Sequence, residues 1–209
     1  MPGRDLDGPV TVINRFSVKG DTGKFEREFH EHSQFLRRQQ GFDFLVTVRL
    51  VEQPHMYVHL GHWRSLRDFL DVVHDDTFLD RVRRLGALVE TEADQAVSVG
   101  RLLHHDAAVG DADVVLTHAR VRGSGAEFER RFGELTDRWS QLDGFGGSDL
   151  LRSTLSPMAY LGLSWWRNGD ACVSALRDPQ AEDRLRGVSE IADVSTERTV
   201  HLAYQRVIR

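Results

Sequence analysis

The residues of this chain that could do chemistry gather in three short patterns. Tyr57, His59, Gly61 and Trp63 alternate with Met56, Val58, Leu60 and His62, so a strand here presents the first four on one face. Asn14 sits in the alternating set Val10, Val12, Asn14, Phe16 and Val18 of an earlier strand. His32 interrupts the helical stripe Phe25, Phe29, His32 and Leu36. An amide, two imidazoles, a phenol and an indole can orient a guest by hydrogen bonds, and an imidazole can take a proton near neutrality. Polar groups in an apolar layer cost stability unless they are partnered or used. The pattern therefore points to a pocket between sheet and helices lined by Asn14, His32, Tyr57, His59, Trp63 and the apolar ring of Phe78.

Other chemistries lack their residues. Eight of the ten histidines lie within residues 30–105. However, His30 and His32 are two apart on a helix and point away from each other, and His55, His59 and His62 do not share a strand face. No His-Glu-x-x-His run is present, so no metal site is expected. GxSxG, GxGxxG after a strand and the P-loop are also missing. The single cysteine, Cys172, rules out a disulfide framework. A net charge of −5, from 27 basic and 32 acidic residues, argues against nucleic acid or a membrane surface as partner. Without a signal-like start or a run of about 18 apolar residues, the cytoplasm is the expected location.

These residues need a scaffold, and the chain supplies it twice. Gly20-Asp-Thr-Gly-Lys-Phe25-Glu-Arg-Glu-Phe29 matches Gly123-Ser-Gly-Ala-Glu-Phe128-Glu-Arg-Arg-Phe132 at a constant spacing. The same register pairs Gly41-Phe42 with Gly144-Phe145, Pro54 with Pro157, Tyr57 with Tyr160 and Trp63-Arg64 with Trp166-Arg167, without a gap between residues 18 and 84. A period this long is a duplicated domain rather than a solenoid unit. The two copies are expected at 1–104 and 105–209, joined by the polar stretch from His104 to Asp111.

Each copy reads as β-α-β-β-α-β, and the chain as α+β. In the first, the pattern predicts a strand over 10–18, a helix capped by Asp21 or Thr22 and running to about Gln40, and strands over 42–50 and 56–63. A second helix starts at Ser65, breaks near Asp75-Asp76 and resumes through Leu85; a strand over 96–103 closes the copy. The second copy predicts strands at 114–121, 148–154, 159–166 and 198–207, with helices at 126–142 and 170–188. A four-stranded antiparallel sheet with both helices on one face leaves its other face uncovered, so the two copies are expected to pack sheet to sheet as an internal pseudo-dimeric barrel.

The copies differ in polarity. Where the first has Asn14, His32 and His59, the second has Thr117, Leu135 and Gly162, and Trp139, Tyr160 and Trp166 supply bulk. The active pocket is therefore expected in the first copy, the second being degenerate.

With Val12-Ile-Asn14-Arg-Phe, the Gly20…Phe25-Glu…Phe29 helix entry, Gly41-Phe42 and Tyr57…Trp63-Arg-Ser…Phe69 in place, the chain resembles the antibiotic biosynthesis monooxygenase family of the dimeric α/β-barrel superfamily. The resemblance runs through nearly all of copy one and through about 114–185 of copy two. It implies cofactor-free oxidation of an aromatic polyketide-type substrate, anthrone or phenol to quinone, with dioxygen as co-substrate and no cofactor. Such oxygenases carry an Asn and a Trp four residues apart on the third strand; here the Trp is Trp63 and the Asn position is His59. The resemblance thus implies Asn14, His59 and Trp63 as catalytic residues and His32, Tyr57 and Phe78 as substrate contacts. The partner implied is a small aromatic molecule, with the protein a monomeric pseudo-dimer or a homodimer. A non-oxidative polyketide cyclase or a catalytically silent aromatic-binding protein would share the pocket. Haem-degrading relatives would place their axial His and distorting Trp near Val82 and Val72, both apolar here.

Overall fold

In the computed structural model, residues 5–104 and 113–206 are described. The order is β1 (Val10–Val18), α1 (Thr22–Leu36), β2 (Phe42–Leu50), β3 (Met56–Trp63), α2 (Leu66–Val73), α3 (Asp76–Gly86) and β4 (Val89–Leu103). The pattern then recurs as β5 (Asp113–Val121), α4 (Gly125–Trp139), β6 (Phe145–Ser153), β7 (Ala159–Trp166), α5 (Gly169–Leu176), α6 (Pro179–Ser189) and β8 (Ala192–Arg206). The chain is α+β, two tandem ferredoxin-like repeats.

The repeats keep their local grammar. Asp21 caps α1 by accepting from the Lys24 N–H, and Ser124 caps α4 by accepting from Glu127. Ser65 caps α2 and also donates to the Asp68 carboxylate at 2.8 Å, the box its sequence suggests. Asp75 opens α3 and Asp178 opens α6. Gly41 and Gly144 take φ of 80° and 82°, and a Cβ on Gly41 would stand 2.1 Å from Asp68, so the turn into the next strand requires glycine.

Several boundaries differ from expectation. Helix α1 stops at Leu36 rather than near Gln40, because residues 37–41 make the turn into β2. The second copy breaks its late helix just as the first does: Asp178 is the cap and Pro179 the first helical residue of a new segment. β4 and β8 start at Val89 and Ala192, well before the expected 96 and 198, and each runs 15 residues. Apart from His104, the stretch read as a linker lies outside the described residues.

The chain forms two compact units, Ala96–His201 and the residues before them joined by the segment from Leu202. The first contains the antiparallel order β1–β3–β2. The second contains the latter half of β4, then β6, β7, β5 and β8, again antiparallel. No helix among the described residues is long and apolar enough to cross a membrane.

The hydrophobic cores of the units differ. In the second, one continuous cluster runs from Val115 and Phe128 through Phe132, Leu135 and Trp139 to Trp166 and Cys172. In the first, the described residues include two separate clusters. One holds Phe16, Phe25, Phe29 and Tyr57; the other holds Leu36, Phe42, Leu45, Trp63 and Val72, with Phe69 and Phe78 packed against it.

Candidate active site

Polar side chains stand at the join of the two clusters in the first unit. Strand register sets Asn14 of β1 and Thr47 of β2 on either side of His59 of β3. Directly opposed residues of antiparallel strands share a face, so Asn14, His59 and Thr47 form one polar rung. The corresponding rung of the second unit is Thr117, Gly162 and Leu150.

His59 is the centre of this rung. It is 3% exposed, and its Nδ1 shares a 3.0 Å hydrogen bond with Thr47 Oγ1. Its ring meets Phe29 edge-on at 5.0 Å. Burial, with help from the neighbouring His32, pushes its pKa down to about 3. His32, from α1, is 7% exposed and packs between Phe29 (6.0 Å) and Phe78 of α3 (5.6 Å). Burial and then the Arg81 guanidinium lower its pKa to about 4. Its Nδ1 is buried with no hydrogen-bond partner. Both imidazoles are therefore neutral at pH 7, and each can donate through one nitrogen and accept through the other.

Trp63 closes one side. It is 3% exposed and stands edge-on to Phe42 at 5.0 Å, with Phe69 at 5.6 Å. Between His59 and Trp63 on the same face lies Gly61. A Cβ there would meet His59 Nε2 at 3.3 Å, Phe42 at 3.5 Å and Trp63 Nε1 at 3.7 Å. Two polar ring atoms thus converge over a residue that has no side chain.

Of the residues expected from the sequence, Asn14, His32, His59, Trp63 and Phe78 come together. Tyr57 goes elsewhere. Its ring belongs to the Phe25 cluster, 4.8 Å from Phe25, and its hydroxyl donates to Glu26 Oε1 at 2.8 Å; Arg49 donates to the same oxygen. Burial and then the Glu26 bond raise its pKa. The second unit repeats this arrangement: Tyr160 donates to Glu129 at 2.9 Å and Arg152 joins it. A network kept in both units is a property of the fold. His62, on the opposite sheet face, bonds Thr11 at 2.7 Å and stacks on Phe44 at 3.8 Å.

Thr47 is the member that sequence reasoning missed. The β2 run Phe42–Leu50 alternates weakly, and a threonine is an ordinary strand residue. Only the register reveals that it faces His59. Gly61 was equally silent until its two ring neighbours were in place.

In the second unit the same space is packed. Phe132 comes within 2.5 Å of where a Cβ on Gly162 would stand, so its ring takes the room that His59 occupies in the first unit. Leu135 replaces His32, and Trp166 donates its N–H to Ser164 Oγ at 3.2 Å.

No family model matches the chain. A deoxynogalonate monooxygenase from Streptomyces nogalater is 32% identical over 96 residues, which make up 44% of this chain and 81% of the relative. The chain belongs to the antibiotic biosynthesis monooxygenase family. Solved structures show the fold of this family member across nearly its whole length. A candidate monooxygenase from Fusobacterium nucleatum superposes with a TM-score of 0.81 at 10% identity, covering 95% of this chain and 94% of that one. An anthrone oxidase-like protein gives 0.76 at 16% identity, covering 96% and 94%.

Proposed function

We propose that the N-terminal unit oxygenates a phenolic, anthrone-type aromatic of the polyketide class to a quinone, with dioxygen as co-substrate and without an organic or metal cofactor. The observation that carries the reading is the polar set at the join of the two N-terminal clusters, the buried His32, Thr47 and His59 with the half-buried Asn14, where the C-terminal cluster runs on without a break. Its curated relative is a monooxygenase acting, by its name, on deoxynogalonate.

The chemistry asks little of the protein. The substrate must lose a proton, and its anion must then reach dioxygen in a site that excludes water. His59 Nε2 takes the proton while Nδ1–H is held by Thr47 Oγ1. A conjugate acid at about 3 makes the empty site a reluctant base. The anion formed beside the new imidazolium offsets that reluctance, since opposite charges at contact favour the charged form. Asn14 and Trp63 are the donors placed to hold the developing oxyanion. The anion gives up one electron to dioxygen, the radicals combine through a new C–O bond, and loss of water leaves the carbonyl. One oxygen atom enters the product and the other leaves as water, both electron pairs coming from the substrate. Phe29, Phe69 and Phe78 supply flat apolar walls for a planar ring system.

Positions corresponding to haem ligation support no such reading: Val82 is exposed on α3 and Val72 is buried. The proposed setting is cytoplasmic, with a small aromatic molecule as partner. The test is incubation with a hydroxylated anthrone in chelated buffer, following oxygen uptake and quinone absorbance. Quinone formed with one dioxygen consumed per turnover supports the reading. Cyclised product without oxygen uptake replaces it with a cyclase, and binding with no product replaces it with a silent binding protein.

A further inference from the structure

The two units differ at one more position in the same rung system, and the difference concerns an oxygen atom. In the C-terminal unit, Trp166 donates its indole N–H to the hydroxyl of Ser164, two residues earlier on β7, at 3.2 Å. Ser164 is 3% exposed, so this is a buried bond. In the N-terminal unit the equivalent pair on β3 is Trp63 and Gly61, and Gly61 has no hydroxyl to offer. The point where its Cβ would stand is 3.7 Å from Trp63 Nε1 and 3.3 Å from His59 Nε2. In the C-terminal unit the second nitrogen is missing, because the residue at the His59 place is Gly162.

We infer that Gly61 is a specificity-determining residue. It reserves, between Trp63 Nε1 and His59 Nε2, a seat for one phenolic or enolic oxygen of the aromatic guest. The guest's oxygen takes the place that Ser164 Oγ fills in the other unit. It accepts from the Trp63 N–H and gives its own hydrogen to His59 Nε2, so both of its hydrogen-bonding roles are met. A guest lacking that oxygen would cover the Trp63 N–H without offering it an acceptor, which costs a hydrogen bond, so it is disfavoured as well as unassisted. The inference rests on the proposed function for the identity of the guest, but the seat itself predicts selection for a ring-borne hydroxyl in any small aromatic.

The experiment therefore uses two probes of nearly equal area, 1-naphthol and naphthalene, with the full chain labelled with nitrogen-15 at tryptophan. The Trp63 indole signal is assigned from Trp63→Phe. The seat predicts that 1-naphthol moves this signal and naphthalene does not. Gly61→Ser should move it without any probe, by supplying the hydroxyl internally, and should weaken 1-naphthol binding about tenfold, the scale of one displaced hydrogen bond. Serine fits this frame, since Ser164 occupies it in the sister unit. Should Gly61→Ser nevertheless misfold, Gly61→Ala blocks the same seat, and the two-probe comparison needs no variant at Gly61. Ser164→Gly should leave 1-naphthol affinity unchanged. A Trp63 signal indifferent to 1-naphthol, equal responses to the two probes, or full affinity in the Gly61 variant would each overturn the seat. Oxygen uptake with a hydroxyanthrone separates this from the proposed reaction. Uptake undiminished in Gly61→Ser overturns the seat and leaves the reaction standing. No uptake by the wild type, with Trp63 still responding to 1-naphthol, overturns the reaction and leaves the seat.

Discussion

Thr47 Oγ1 and His59 Nδ1 are joined at 3.0 Å across neighbouring strands, both side chains buried. That bond fixes which nitrogen of His59 is tied to the sheet and which is left for a guest. Thr47→Val removes it while keeping shape and volume. We expect kcat to fall about tenfold with KM little changed, the size of effect seen when a proton-transfer group loses its orientation. Thr47→Ser should restore most of the loss. The nitrogen-15 pattern of His59 reports the cause directly, as Thr47→Val should mix the tautomers. An unmixed pattern with lowered kcat would assign Thr47 to packing alone.

His32 has the opposite balance of stability and use. Its Nδ1 is buried without a partner, and Leu135 stands at its place in the second unit. His32→Leu should therefore raise stability by about 1–2 kcal/mol, the cost of one unsatisfied buried polar group, while lowering turnover. Chemical denaturation together with a turnover assay checks both signs. A destabilised variant would show that His32 is held by interactions other than those described.

The same two histidines set a pH dependence. Their folded pKa values, about 4 for His32 and about 3 for His59, lie below the ordinary 6.5. Between these limits the unfolded chain binds more protons than the folded one, so stability rises with pH. Their contribution is complete above about pH 6.5 and is lost as pH falls toward 4 and 3. Denaturation midpoints measured from pH 7 to pH 4 should decline, and His32→Leu should flatten the slope. Identical slopes in variant and wild type would contradict the assignment.

Tyr57 and Tyr160 offer a matched control, because each donates to a glutamate that an arginine also holds. Tyr57→Phe and Tyr160→Phe should each cost about 1 kcal/mol of stability, the usual net worth of such a bond. Turnover should be nearly unchanged in both. A selective loss of activity in Tyr57→Phe would return Tyr57 to the site.

The sequence alone carried the duplication, because aromatic and glycine positions such as Phe25, Gly41 and Trp63 repeat in one register with Phe128, Gly144 and Trp166. It also carried the helix break at Asp75, whose carboxylate caps α3. The matching break at Asp178-Pro179 was available from the same chemistry and was hidden by the apolar run that spans it. The starts of the long β4 and β8 are not legible in the sequence, because exposed residues such as Glu90 and Glu92 weaken strand periodicity. Asn14, His32 and His59 stood out as polar members of apolar stripes. Thr47 and Gly61 did not: a threonine in a strand and a glycine between aromatics are unremarkable until the register brings them beside His59 and Trp63.

The proposed chemistry belongs to the N-terminal unit. Oxygen uptake with a hydroxyanthrone, compared across Asn14→Ala, His59→Ala and Thr117→Ala, tests this most directly. We expect a loss of about a hundredfold in each of the first two, on the scale of a lost acid–base or oxyanion contact. Thr117→Ala should remain near wild type, and all three should keep their fold. Equal losses at the three positions, or none at Asn14 and His59, would contradict it.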